Sequence, residues 1–146
     1  AHRARQGPRR DATVLVMSLR TVIATPDAPA AIGPYSQAIV YNGIAYLSGQ
    51  IPLDPHTGQL VSGGIEEQTV RVLENLGAVL AACGSNFDMV LKAGIFVKDM
   101  NDFAKVNEIY SRYFHTNPPA RATVEVARLP KDVLVEIDAI AALLPA

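Results

Sequence analysis

The chain has 146 residues, 49% of them hydrophobic and 18% charged, with ten Gly, ten Pro and a single Cys. That length fits one ordinary domain, and the apolar share excludes a disordered chain. Thirteen Lys and Arg against fourteen Asp and Glu give a formal charge of −1, so no chain-wide basic field draws in nucleic acid; one cysteine excludes an intrachain disulfide framework, and no apolar run is long enough to span a bilayer.

The first twenty residues carry Arg3, Arg5, Arg9, Arg10 and Arg20 against Asp11 alone. Such an Arg-rich, acid-poor start is like a targeting peptide, although Gly7-Pro8 breaks an amphipathic helix and serine is scarce. Residues 1–16 are read as a basic extension, whether added residues, sequence encoded ahead of Met17, a targeting remnant or a functional arm. Residues 17–146 are read as one domain. The expected location is cytoplasmic, or a mitochondrion or plastid if the basic start is native.

Thr21-Val22-Ile23-Ala24 is a short β-prone run closed by a Pro- and Asp-rich turn. Gln37 to Tyr41 and Ile44 to Ser48 flank Asn42-Gly43, the dipeptide that best tolerates the two positive φ angles of a type I′ hairpin. Over residues 65–83 the period changes. Ile65, Val72, Leu76, Val79, Leu80 and Cys83 recur at helical spacing, and Gly84 sits where a left-handed cap belongs. Leu91 to Val97 reads as a buried strand. Asp99 to Asp102 offer caps for a second helix with the stripe Phe103, Val106, Tyr110 and Tyr113/Phe114, and Asn117-Pro118-Pro119 ends it. Arg121 to Val126 and Val133 to Ile140 complete the order β-β-β-α-β-α-β-β. This is an α+β domain with one sheet covered on one face by two helices. The uncovered face still carries apolar residues, so self-association is expected.

The last two strands hold the residues with chemistry. Read as an antiparallel hairpin with Val126 opposite Val133, they place Thr123 across from Glu136 and Arg121 diagonal to it. Such a pair is either a structural ion pair or a site. A guanidinium fork matches a carboxylate bidentately, and a nearby carboxylate can orient or deprotonate water, so the residues by themselves suggest a site for a small organic acid. His2, His56 and His115 lie far apart and make no metal set with Cys83, which completes an apolar stripe and reads as a core thiol. No glycine pattern supports nucleotide binding.

Several segments together resemble the RidA (YjgF) family. These are Ile32-Gly33-Pro34-Tyr35-Ser36-Gln37-Ala38, Ser48-Gly49-Gln50-Ile51-Pro52, Val97-Lys98-Asp99, Asn101-Asp102-Phe103 with Val106-Asn107, Pro119-Ala120-Arg121, the run Val124 to Asp132, and Glu136-Ile137. The resemblance covers roughly residues 19–142. It implies a chorismate-mutase-like fold assembled as a homotrimer with clefts between subunits, and hydrolysis of 2-iminopropanoate and 2-iminobutanoate to pyruvate or 2-oxobutanoate and ammonia. It implies no metal and no organic cofactor. Arg121 matches the arginine that binds the substrate carboxylate, and Glu136 the glutamate that positions water. Tyr35, Ser48, Gly49 and Asn107 match residues around the cleft. Thr123 is expected among the substrate-binding residues, although it stands where several bacterial members have cysteine, which leaves its own role there open. Two further readings stand beside deamination: a single-strand-specific endoribonuclease or translation inhibitor, and a non-catalytic 2-oxo-acid-binding or chaperone-like module. Residues 17–146 show no aromatic-and-basic stripe of the kind that tracks single strands, so nucleic acid is not the expected partner.

Overall fold

Pairing of β-prone runs through tight turns builds most of the sheet. A computed structural model describes residues 19–146; the extension read over residues 1–16 lies outside them. The strands are β1 (Thr21–Ile23), β2 (Ala38–Tyr41), β3 (Ile44–Gln50), β4 (Val90–Val97), β5 (Ala120–Glu125) and β6 (Val135–Ala142). Helices α1 (Ile65–Cys83) and α2 (Phe103–Tyr113) follow β3 and β4 respectively, which is the element order expected from the periodicities.

Local chemistry accounts for the boundaries. Asn42 (φ 51°) and Gly43 (φ 76°) make the β2–β3 turn with both residues left-handed. Gly84 (φ 79°, ψ 35°) stops α1 and donates its N–H back to the carbonyls of Ala81 and Leu80. Before α2, the Asp99 carboxylate accepts from the Asn101 N–H at 2.9 Å.

The six strands form one mixed sheet in the order β1-β2-β3-β6-β4-β5, with only β4 and β5 parallel. Both helices lie on one face. Leu47 of β3, Ile95 and Val97 of β4, and Val135 and Ile137 of β6 pack there against Val72, Leu73, Leu76, Val79 and Leu80 of α1 and Val106 and Ile109 of α2. Each such buried side chain contributes about 1.5–3 kcal/mol relative to its exposed state. The opposite face is open and apolar, with Val22, Tyr41, Tyr46 and Val124 between 43% and 56% exposed.

One expectation fails. β5 and β6 are not a hairpin and Val126 does not pair with Val133, because β4 lies between the two strands. The cause is the crossover: α2 returns the chain to lay β5 parallel to β4, and residues 126–134 then carry it past β4 to β6. The assigned faces change as well. Thr123 aligns with Ile95 and Ile137 on the helix side, whereas Glu136 aligns with Phe96 and Val124 on the open side.

Candidate functional site

The resulting register separates the residues expected to act together into two half-sites. The first is built on α2 and the edge strand β5. Phe103, Asn107 and Tyr110 stand at i, i+4 and i+7, so they share one helix stripe, and that stripe holds Arg121. The Arg121 guanidinium donates to Asn107 Oδ1 at 2.8 Å. Its Cζ lies 4.9 Å from the Tyr110 ring centroid and 5.6 Å from that of Phe103. A cation held by two π faces and one amide is oriented while most of its five N–H donors stay available. A cavity of about 340 Å³ opens here, lined by Asn107, Tyr110, Ser111, Pro118, Pro119 and Arg121. Tyr110 is 4% exposed, and its hydroxyl has no partner among the described residues. Burial pushes the phenol pKa up, and the Arg121 charge opposes that rise.

The second half-site surrounds Glu136 on the open face. Between β3 and β6 the register shifts: Leu47 pairs with Ala139 and Gln50 with Ile137, so Ser48 and Gly49 together oppose Asp138. This bulge re-aims the strand beside the carboxylate. A Cβ at Gly49 would come within 2.8 Å of Glu136 Cδ and 3.0 Å of its Cγ, so only glycine lets Glu136 lie across the bulge. Ser48 Oγ donates to the Ser36 carbonyl at 2.5 Å, tying the preceding loop to β3. Buried Gln37 completes that anchor, donating to the carbonyls of Thr25 (3.1 Å) and Pro29 (2.8 Å) and accepting from the Thr25 N–H (2.6 Å). The loop presents Tyr35, 54% exposed. Ile32, Tyr35, Gly49, Ile51, Lys131 and Glu136 line a cleft of about 390 Å³. Lys131 (φ 56°) and Asp132 (φ 54°) are both left-handed, a strained pair of which Lys131 lines the cleft. Burial, and then the charge of Asp138, raise the Glu136 pKa.

Of the residues singled out from sequence, Arg121 and Asn107 thus form one half-site, and Tyr35, Gly49 and Glu136 the other. Ser48 acts on the loop. Thr123 lines neither cleft; its hydroxyl is buried beneath β5 and unpartnered among the described residues. Phe103 and Tyr110 were expected only as core, although their spacing around Asn107 was the available signal. Lys131 carried no such signal, since its placement depends on the crossover, whereas Asp138 shares the strand face of Glu136 by simple alternation. Among the described residues no group of three or more His, Cys, Asp or Glu is placed to hold a metal, and no helix is long and apolar enough to cross a membrane.

Comparison with known proteins places the chain in a family. A family model described as Endoribonuclease L-PSP matches residues 25–143. A RutC family protein of Pyrococcus horikoshii is 54% identical over 123 residues, covering 84% of this chain and 98% of the relative. The human protein named 2-iminobutanoate/2-iminopropanoate deaminase is 51% identical over 123 residues, covering 84% of this chain and 90% of its own. The crystal structure of a Rid-family protein, YyfA of Yersinia pestis, superposes with a TM-score of 0.83 at 52% identity, covering 86% of this chain and all of that one. With the family model matched over residues 25–143 and these relatives covered over nearly their whole length, the chain belongs to the RidA (YjgF) family, also described as the endoribonuclease L-PSP family.

Proposed function

We propose that this protein is a 2-imino acid deaminase that hydrolyses 2-iminopropanoate and 2-iminobutanoate to the 2-oxo acids and ammonia. Its active sites form between the subunits of a homotrimer. The observation that carries the reading is the division of the site: an oriented, accessible guanidinium and a half-buried carboxylate in an apolar cleft occupy opposite faces of one sheet. A single copy cannot bring the two together, whereas a second copy docked against the open face can. The exposed Val22, Tyr46 and Val124 supply the apolar surface for that docking. The activity of the human relative supports the choice of substrate.

In the composite site Arg121 takes the substrate carboxylate bidentately and draws electron density from the adjacent imine carbon. Glu136 accepts a hydrogen bond from water and aims its oxygen at that carbon. As the C–O bond forms, the C=N π pair moves to nitrogen and Glu136 accepts a proton from the water. The carbinolamine nitrogen takes up that proton and then, by way of Glu136, the proton of the hydroxyl, so that the C–N bond breaks, ammonia leaves and the carbonyl forms. General-base assistance of this kind contributes about 10²–10⁴-fold. Tyr35, Ile32 and Ile51 bound the space for the short side chain.

The test couples the protein to a threonine dehydratase, which releases the imine, and follows 2-oxobutanoate. Acceleration by the wild type and not by Arg121→Ala supports deamination at this site. No acceleration by a folded oligomer contradicts it, and salt-sensitive cleavage of single-stranded RNA would then favour the nuclease reading.

A further inference from the structure

Glu136 is not the only acid on the open face of β6. Asp138 follows it at i+2, so both side chains project from the same side of the strand. Each lies over a glycine of a neighbouring strand, but on opposite flanks. Glu136 leans across Gly49 of the β3 bulge, and Asp138 leans across Gly94 of β4, where an added Cβ would come within 2.5 Å of Asp138 Oδ1. Gly94 is also Asp138's direct partner in the β4–β6 ladder. Two acids two residues apart, each given room by a glycine, make a paired feature that the reaction outlined above uses only in part.

We infer that Asp138 is a positioning residue for this site, acting on Glu136 from the next place along the same strand face. This rests on the deaminase reading. Asp138 has surroundings of its own. It lines a cavity of about 430 Å³ with Tyr46, Lys92, Gly94 and Phe96, apart from the Glu136 cleft. Burial pushes the Asp138 pKa up, and the backbone N–H groups of Gly94 and Asp138 and the charge of Lys92 oppose that rise. Its negative charge disfavours a second negative charge on Glu136, reinforcing what burial does there. A carboxylate made more basic in this way takes a proton from water more readily, and general-base efficiency rises as the base's pKa approaches the working pH.

The groups facing Glu136 from elsewhere are Tyr35 from the anchored loop, Lys131 from the β5–β6 connection and, in the composite site, Arg121 of a second copy. Phe96 and Gly49, its neighbours on β4 and β3, carry no charge. All of these are common to wild type and Asp138 variants, so the difference between variants isolates Asp138.

The test follows the Glu136 side-chain carboxyl by ¹³C NMR through a pH titration of the full chain, in wild type, Asp138→Asn and Asp138→Glu, and records the pH profile of kcat/KM for each. Asp138→Asn is isosteric, and Asp138→Glu keeps the charge should the first variant fold poorly. The expected result is a Glu136 midpoint displaced to lower pH in Asp138→Asn, an acid limb of kcat/KM that moves with it, a plateau lowered by less than about tenfold, and return toward wild type in Asp138→Glu. An unmoved Glu136 midpoint, or a moved midpoint with an unmoved acid limb, overturns the inference. Wild-type protein that titrates as expected yet hydrolyses no imine overturns the deaminase reading instead, and leaves the coupling of the two carboxyls standing.

Discussion

Arg121 and Glu136 lie on opposite faces of the same sheet. Arg121 aligns with Ala93 and Ala139 on the side covered by the helices, while Glu136 aligns with Phe96 and Val124 on the open side. Each is prepared by its own set of neighbours: α2 orients the guanidinium, and the bulge at Ser48-Gly49 makes room for the carboxylate.

The hold on Arg121 divides into ring and hydroxyl contributions. Arg121→Ala removes the charge-assisted contact to substrate and lowers kcat/KM by about 2–5 kcal/mol, roughly 30-fold or more, with the oligomer intact. Tyr110→Phe keeps the ring under the guanidinium and removes a buried hydroxyl that has no partner among the described residues, so activity is retained and stability is unchanged or higher by up to about 1 kcal/mol. Tyr110→Leu loses the π face, worth about 0.5–1 kcal/mol, and raises KM several-fold. Steady-state kinetics with thermal unfolding of the three variants separates these outcomes; a Tyr110→Leu protein with wild-type KM would contradict the role given to the ring.

Gly49→Ala sets a methyl group where Glu136 lies. The carboxylate must then swing off the bulge, and misplacing a general base by about 1 Å costs up to about 10²-fold in rate. The expected variant is folded by circular dichroism, with kcat depressed and carboxylate binding through Arg121 preserved. Lost binding with normal kcat would contradict this.

Cys83 closes the apolar stripe of α1, and burial raises its thiol pKa to about 11. At pH 8 its thiolate is about a hundredfold scarcer than that of an ordinary cysteine. Native protein should therefore react slowly with a disulfide reagent, and denatured protein at once; a rapid native reaction would show that the helix seam opens.

Much of the fold was legible because its signals are local. The Asn42-Gly43 turn, the α1 stripe and its Gly84 stop, and the prolines after α2 all act within a few residues, and each element appears where they place it. The order of the last strands was not legible. β5 is an edge strand in which Thr123 alone is even half-buried, so the alternation of Ala122, Val124 and Val126 did not report the core. Val124 faces the open side instead, and the nine residues from Val126 to Leu134 resemble a hairpin loop in composition while serving as a crossover. Hence the identities of Arg121 and Glu136 were readable, and their separation was not. Phe103 and Tyr110 were visible as a stripe, but what they hold depends on where β5 returns.

The composite site is tested most directly by mixing two inactive variants. In random trimers of equal parts Arg121→Ala and Glu136→Ala subunits, about one quarter of the interfaces join an intact Arg121 from one variant to an intact Glu136 from the other. Unfolding and refolding the mixture should thus restore about a quarter of wild-type deaminase activity, while each variant refolded alone stays inactive. A mixture as inactive as its components, with exchange of subunits verified by mass, would contradict a site shared between copies.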